Sequence, residues 1–178
     1  MKTNIFRLLL LCACLTGLRT SHAQQPTQQP YKLSAGLRLG SPLAISLKYF
    51  PTAKGAVEGF IGNRSYNDTW YGYSYSSTII GATYSLYTPI PIKDVKGLQW
   101  FIGGGGALYL WSWGNNIYLA DRYSTVSAGI VLHGGLDYKI ENMPLNVSLD
   151  WMPIYSLSDY NTGFYAGYGA VSVRYVLK

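Results

Sequence analysis

The last stretch of the sequence, Phe164 to Lys178 (FYAGYGAVSVRYVLK), limits the possible folds more than any other. Read in steps of two, one face carries Tyr165, Gly167, Gly169, Val171, Val173, Tyr175 and Leu177. The other carries Ala166, Tyr168, Ala170, Ser172, Arg174, Val176 and Lys178. Period two is the signature of a β-strand with a greasy face and a small or polar face. The run is far longer than the ~5–6 residues of an ordinary strand. A long strand left at a sheet edge is a template for aggregation. Pairing it with the first strand, so that the sheet closes into a barrel, removes the edge.

The same alternation runs from Tyr31 onward, punctuated by turn residues. It predicts strands at Tyr31–Leu39, Leu43–Phe50, Ala56–Arg64, Ser74–Tyr87, Leu98–Trp111, Tyr123–Ile140 and Leu145–Met152, with the terminal run as the eighth. Between them lie Gly40-Ser41-Pro42, Pro51–Gly55, Ser65–Tyr73, Thr88–Gly97, Ser112–Arg122, Glu141–Pro144 and Pro153–Gly163. Eight antiparallel strands make a barrel whose bore side chains can just fill.

Composition decides which face points outward. Charged residues make up 12% of the chain, about half the usual ~25%, while Tyr numbers 17, Gly 20 and Trp 5. A soluble barrel would bury its Leu/Ile/Val face and need a charged exterior. Beyond the N-terminus, no apolar run reaches the ~18 residues of a membrane helix. The expected fold is therefore all-β, an eight-stranded antiparallel transmembrane β-barrel over residues 31–178. Its greasy face meets lipid, and its small polar face lines the lumen.

Charges on the lumen face need partners inside. Lys48 and Glu58 lie symmetrically about Ala53, in the middle of a turn, so they are expected to sit opposite each other as an ion pair. Arg38, Arg64, Asp137, Asp150 and Arg174 can supply further pairs, and His133 is expected to be a polar lumen residue. Aromatic residues fall near the strand ends, as a bilayer interface favours. With the N-terminus on the periplasmic side, Tyr31, Tyr49, Tyr87, Trp100, Tyr138 and Tyr175 form one belt. Tyr71, Tyr73, Tyr75, Tyr109, Trp111, Trp113, Tyr155 and Tyr165 form the other.

Residues 1–23 read as a signal peptide. Lys2 and Arg7 precede the apolar core Leu8–Leu18, and Ser21-His22-Ala23 places small residues where a signal peptidase reads, so cleavage is expected before Gln24. A lipoprotein is the rival reading, because Leu11-Cys12-Ala13-Cys14 loosely resembles a lipid-attachment box. Gln24–Pro30 is a polar, proline-bearing flexible leader. Cleavage removes both cysteines and the basic residues Lys2, Arg7 and Arg19. Basic residues fall from 14 to 11 against 8 acids, so net charge falls from +6 to +3. That modest charge supports no nucleic-acid partner.

Strand number, alternation, belts and signal peptide together resemble the small outer-membrane barrels of Gram-negative bacteria, the OmpA/OmpX type. The run Gly97-Leu98-Gln99-Trp100-Phe101-Ile102-Gly103-Gly104-Gly105-Gly106 also looks like the central strand of outer-membrane barrels from Bacteroidetes-type bacteria. The resemblance implies an outer-membrane location, contact with membrane lipid and lipopolysaccharide, and insertion by the barrel-assembly machinery. Two features depart from the pattern. The chain ends Tyr175-Val176-Leu177-Lys178 rather than in an aromatic residue, and Thr88–Gly97 is long for a periplasmic turn.

The residues call for no cofactor and no metal. His133 is the single histidine after cleavage, with no cysteine to join it. Gly103–Gly106 is followed by Ala107-Leu108-Tyr109 instead of the Lys-Ser/Thr and helix of a phosphate loop, so its role is steric. Ser127, Ser148 and Asp137 lie near His133 on lumen faces, which keeps a lipid A-modifying enzyme as an alternative. A narrow pore and a secreted soluble β-barrel are the others. Trp70, Trp113 and Tyr160 could meet a glycan or protein, but the loop ligand is unspecified and interfacial anchoring explains such aromatics as well. The leading reading is a non-enzymatic envelope protein, structural or interacting through its loops.

Overall fold

In the computed structural model, which describes residues 31–68, 73–93, 95–112, 125–157 and 162–177, the period-two alternation is realised as ten β segments. They are β1 (Leu33–Ser41), β2 (Leu43–Tyr49), β3 (Gly55–Asp68), β4 (Tyr73–Pro89), β5 (Leu98–Ser112), β6 (Val126–Lys139), β7 (Leu145–Trp151), β8 (Ile154–Ser156), β9 (Gly163–Tyr165) and β10 (Gly169–Val176). Every neighbouring pair is antiparallel, and β1 pairs with both β2 and β10, so the sheet closes on itself.

The ten segments make eight wall strands. β7 and β8 share one register against β6, Gly134↔Trp151 and Val131↔Ile154, and are separated only at Met152-Pro153. Pro153 has no N–H to donate to the ladder, but its carbonyl still accepts from the Leu132 amide at 2.9 Å. β9 and β10 form the last wall strand. Trp151 pairs with Gly169 and Ile154 with Tyr165, so residues 152–153 oppose residues 166–168. That extra residue is a β-bulge.

The barrel has two unlike ends. At the turn end lie Tyr31 and the β2–β3, β4–β5 and β6–β7 turns. The expected Thr88–Gly97 connection is mostly a tight hairpin there. The β4–β5 ladder runs down to Pro89↔Gln99, the Ile90 amide bonds the Leu98 carbonyl at 2.9 Å, and Ile92 bridges Val95. At the loop end the rim is uneven. The β1–β2 ladder stops at Arg38↔Ala44, whereas the β3–β4 ladder climbs to Asp68↔Tyr73.

Polarity is inverted relative to a soluble protein. Leu37, Leu43, Ile45, Leu47, Ile102, Leu108, Ile130, Leu132 and Leu149 are all half exposed or more on the outer wall. Arg38, Lys48, Glu58, Asp137 and Arg174 are buried inside it. The Gly103–Gly106 run divides by face. A Cβ on inward-facing Gly105 would lie 1.9 Å from the Ala82 carbonyl oxygen, while one on outward-facing Gly106 would meet nothing closer than 3.7 Å. Glycine is therefore required on the lumen face, where the β4 backbone crowds in.

Candidate functional site

The buried polar and charged side chains of the described residues lie in the interior, which is built in three layers. The layer at the turn end is aromatic. Tyr31, Phe50, Ala56, Tyr87 and Phe101 are buried together, with Val176 packed against them. Tyr31 meets Phe50 edge-on at 5.2 Å, Phe50 meets Tyr87 at 4.9 Å, and Tyr87 stacks on Phe101 at 4.9 Å. Offset and edge-on contacts of this kind are the favoured ring arrangements.

The layer at the loop end is also apolar. Phe60, Ile79, Ala107, Tyr109, Val131, Met152, Ile154 and Tyr168 are buried as one cluster, with Trp111 and Tyr165 partly buried against it. The Phe60 ring lies over Gly81, where a Cβ would come within 2.4 Å of it. The alternation alone suggested a lumen of small polar residues. The bulky inward residues of β3, β4, β5 and β6 instead fill the bore at both ends.

Between these layers is a charge network. The Arg38 guanidinium donates to Glu58 Oε1 at 3.0 Å and to Asp150 Oδ1 at 2.7 Å. Arg174 also donates to Glu58 Oε1, and to Ser46 Oγ at 2.9 Å and Ser148 Oγ at 2.7 Å. The Lys48 ammonium is bonded to Asp137, whose second oxygen accepts from Asn146 at 2.8 Å and from the Tyr31 hydroxyl at 3.3 Å. Lys48 also lies 5.3 Å from the Tyr87 ring centre, and Arg38 lies 5.3 Å from that of Phe60. Three cations face three carboxylates, so the buried network sums to zero. Burying charge is tolerable only on such terms, with each ion paired and hydrogen-bonded.

The structure re-pairs the residues that the sequence singled out. Lys48 and Glu58 are direct cross-strand partners in the β2–β3 register. Their side chains nonetheless do not pair with each other. Lys48 reaches across the bore to Asp137, and Glu58 takes both arginines. Long side chains in a narrow barrel meet opposite walls as readily as neighbours, and register alone does not decide between them. Arg64 stands apart from this network, over the Tyr168 ring at 4.4 Å near the loop end.

Five belt residues lie inside instead, Tyr87 among them, which is 2% exposed in the turn-end aromatic layer because it shares the lumen parity of Ser85 on β4. Tyr31 and Tyr109 lie inside the barrel, 4% and 2% exposed, because Tyr31 precedes β1 and turns under the wall while Tyr109 has lumen parity on β5. Trp111 shares that parity and donates its indole N–H to Ser127 Oγ at 2.7 Å. Tyr165 is turned toward the inner cluster by the bulge at residues 166–168, which leaves Phe164 outermost. Tyr49, Trp100 and Tyr175 do face outward at the turn end, and Tyr138 is half-buried beside them. Trp151, Tyr155 and Phe164 occupy the outer wall toward the loop end, and the Trp151 indole braces the bulge by donating to the Ala166 carbonyl at 2.8 Å. The side chains of Tyr73 and Tyr75, like residues 71 and 113, lie outside the described residues.

His133 has the partners of a hydrolytic triad in composition. Its Nδ1 lies 3.1 Å from Thr83 Oγ1 and 3.3 Å from Ser85 Oγ, and its Nε2 lies 3.9 Å from Asp150 Oδ1. The 3.9 Å separation is too long for a hydrogen bond. Ser85 and His133 are each 2% exposed and capped by the apolar layers, and Phe101 packs edge-on against the imidazole at 4.8 Å. A nucleophile needs room for the substrate carbonyl beside it. Ser127, considered as a partner from sequence, is held by Trp111, and Ser148 is held by Arg174. The group is therefore an internal hydrogen-bond cluster that ties β4 to β6. No protein-family model matches the chain, and neither does any curated protein or solved structure.

Proposed function

We propose that the chain is an integral outer-membrane barrel protein with a sealed bore. It serves the cell envelope as a structural element or through its loop end, without catalysis. The observation that carries this reading is the inverted polarity, with an aliphatic outer wall around a buried, charge-neutral ion network. Such a wall in water would be one continuous apolar surface, far beyond the few hundred Å2 that soluble monomers expose. In a bilayer it is the favourable surface, and closure leaves no unpaired strand edge in the hydrocarbon. Lipopolysaccharide and phospholipid are then its immediate surroundings, and the barrel-assembly machinery its partner during insertion.

Two observations weigh against the alternatives. The aromatic and aliphatic layers close both ends of the charge network, which disfavours a pore. The outward-facing residues of the described strands present no Ser–His pair to lipid, which disfavours a lipid A enzyme. Cell fractionation tests the reading. The protein is expected in the outer membrane, resistant to carbonate washing, and silent in planar-bilayer conductance. Recovery in the soluble periplasm would overturn it.

A second test separates structure from catalysis. His133→Gln keeps a hydrogen-bonding side chain near Thr83 and Ser85 and is expected to insert normally. Lipid A from cells carrying it should have an unchanged acylation pattern by mass spectrometry. A changed pattern would put the enzyme first.

A further inference from the structure

The charges left over from the buried network are unevenly placed. Lys32, Lys54, Lys93 and Lys96 are exposed at the turn end, and Lys139 lies half-buried there, capping the β6–β7 turn through the Ile140 and Met143 carbonyls. The described acid at this end is Glu141. Among the described residues the turn end therefore carries five lysines against one acid. The buried network is neutral, so these lysines are the main unbalanced charge among the described residues.

We propose that this end is a lysine collar that binds the anionic headgroups of phospholipids in the leaflet it faces. The inference rests on the membrane reading above. Three observations select a lipid surface over a single docked protein. First, the lysines come from separate connections spread round the rim: before β1, between β2 and β3, between β4 and β5, and at the end of β6. A headgroup annulus surrounds a barrel in that way, whereas a docked protein needs a contiguous patch. Second, the collar lies just beyond the outward aromatics Tyr49, Trp100 and Tyr175, at the level where headgroups begin. Third, none of Lys32, Lys54, Lys93 and Lys96 enters a salt bridge among the described residues, so their ammonium groups remain available. Lysine suits this role, because its flexible stem lies along apolar wall while the charge reaches the headgroup. Each lysine near an anionic surface contributes ~1 kcal/mol, about a fivefold preference for a lipid that meets one of them.

The test uses the full-length mature protein in phosphatidylcholine vesicles containing a minority of phosphatidylglycerol, with bromine on the acyl chains of one lipid at a time. Tryptophan quenching is read from Trp100, the turn-end indole, with the other tryptophans replaced by Phe. Brominated phosphatidylglycerol is expected to quench Trp100 several-fold more, per mole of lipid, than brominated phosphatidylcholine, and added salt should shrink the difference. Replacing Lys32, Lys54, Lys93 and Lys96 together by Gln should abolish it while quenching by phosphatidylcholine persists. Equal quenching by the two lipids in the unaltered protein, or a preference that survives the four replacements, overturns the collar. Absence of quenching by either lipid overturns the membrane reading instead.

Discussion

Glu58→Gln is expected to destabilise the barrel by about 3–5 kcal/mol, the cost of removing one partner from a buried ion pair. Glu58 is the shared acceptor of Arg38 and Arg174, and all three are almost fully buried. Neutralising it leaves the network with three cations against two carboxylates, buried between the two apolar layers. A guanidinium cannot relieve the strain by losing its proton. Arg38 keeps Asp150 as a partner, so the uncompensated charge falls on Arg174, left with the hydroxyls of Ser46 and Ser148. Adding Arg174→Met should therefore recover part of the loss, because the Arg38–Asp150 and Lys48–Asp137 pairs then balance by themselves. Denaturant unfolding of the refolded protein in lipid vesicles measures both variants. A Glu58→Gln protein as stable as the parent, or a double variant weaker than the single, would show that charge balance is not what holds the middle of the bore.

Leu132→Arg is expected to cost ~2–4 kcal/mol in lipid vesicles, the value for a cation at the lipid-facing midplane of such barrels. Leu132 lies mid-strand on β6, 56% exposed on the outer wall, with Val131 beside it fully buried. The cost arises because the guanidinium stays charged and must draw water into the hydrocarbon. Single cysteines carrying spin labels at Leu132 and Leu108 should be reached by lipid-phase quenchers. Labels at Ser127 and Gly129, which face the lumen, should be spared. The contrast is sharp because a one-residue slip in register exchanges the two sets. Quenching of the Ser127 set with sparing of the Leu132 set would mean that the aliphatic wall does not meet lipid, and would return the soluble barrel to consideration.

Much of the wall is legible in the sequence, because strand parity is a local property. Two residues further along a strand is the same face again, whatever the rest of the chain does. The inward set of β4 (Ser77, Ile79, Gly81, Thr83, Ser85), that of β7 (Asn146, Ser148, Asp150) and the outward Val171, Val173 and Tyr175 of β10 could thus be read directly from their spacing. So could the closure of the last strand on the first, from the need to hide an edge. The inward position of Arg38, Lys48, Glu58, Asp137, His133, Asp150 and Arg174 follows from the same rule.

What the alternation does not contain is any relation between distant strands. Lys48 and Glu58 are in register, yet each bonds to a residue on another wall, because in a narrow sheared bore the reach of a side chain exceeds the strand spacing. The filling of the lumen was hidden for a related reason. Parity places Phe60, Tyr87, Phe101 and Tyr109 inward, but whether they leave a channel or meet in layers depends on how the staggered strands align their heights. The bulge at residues 166–168 was hidden as well. One extra residue there reverses the faces of Phe164 and Tyr165, and no alternation rule can count a residue whose partner strand is not yet known. The sequence alone therefore determined strands, faces and closure, which rest on local periodicity and on solvent. Only the tertiary structure decided which charges pair, which rings fill the bore and where the last strand changes face, since each of these depends on the stagger between strands that are far apart in the chain.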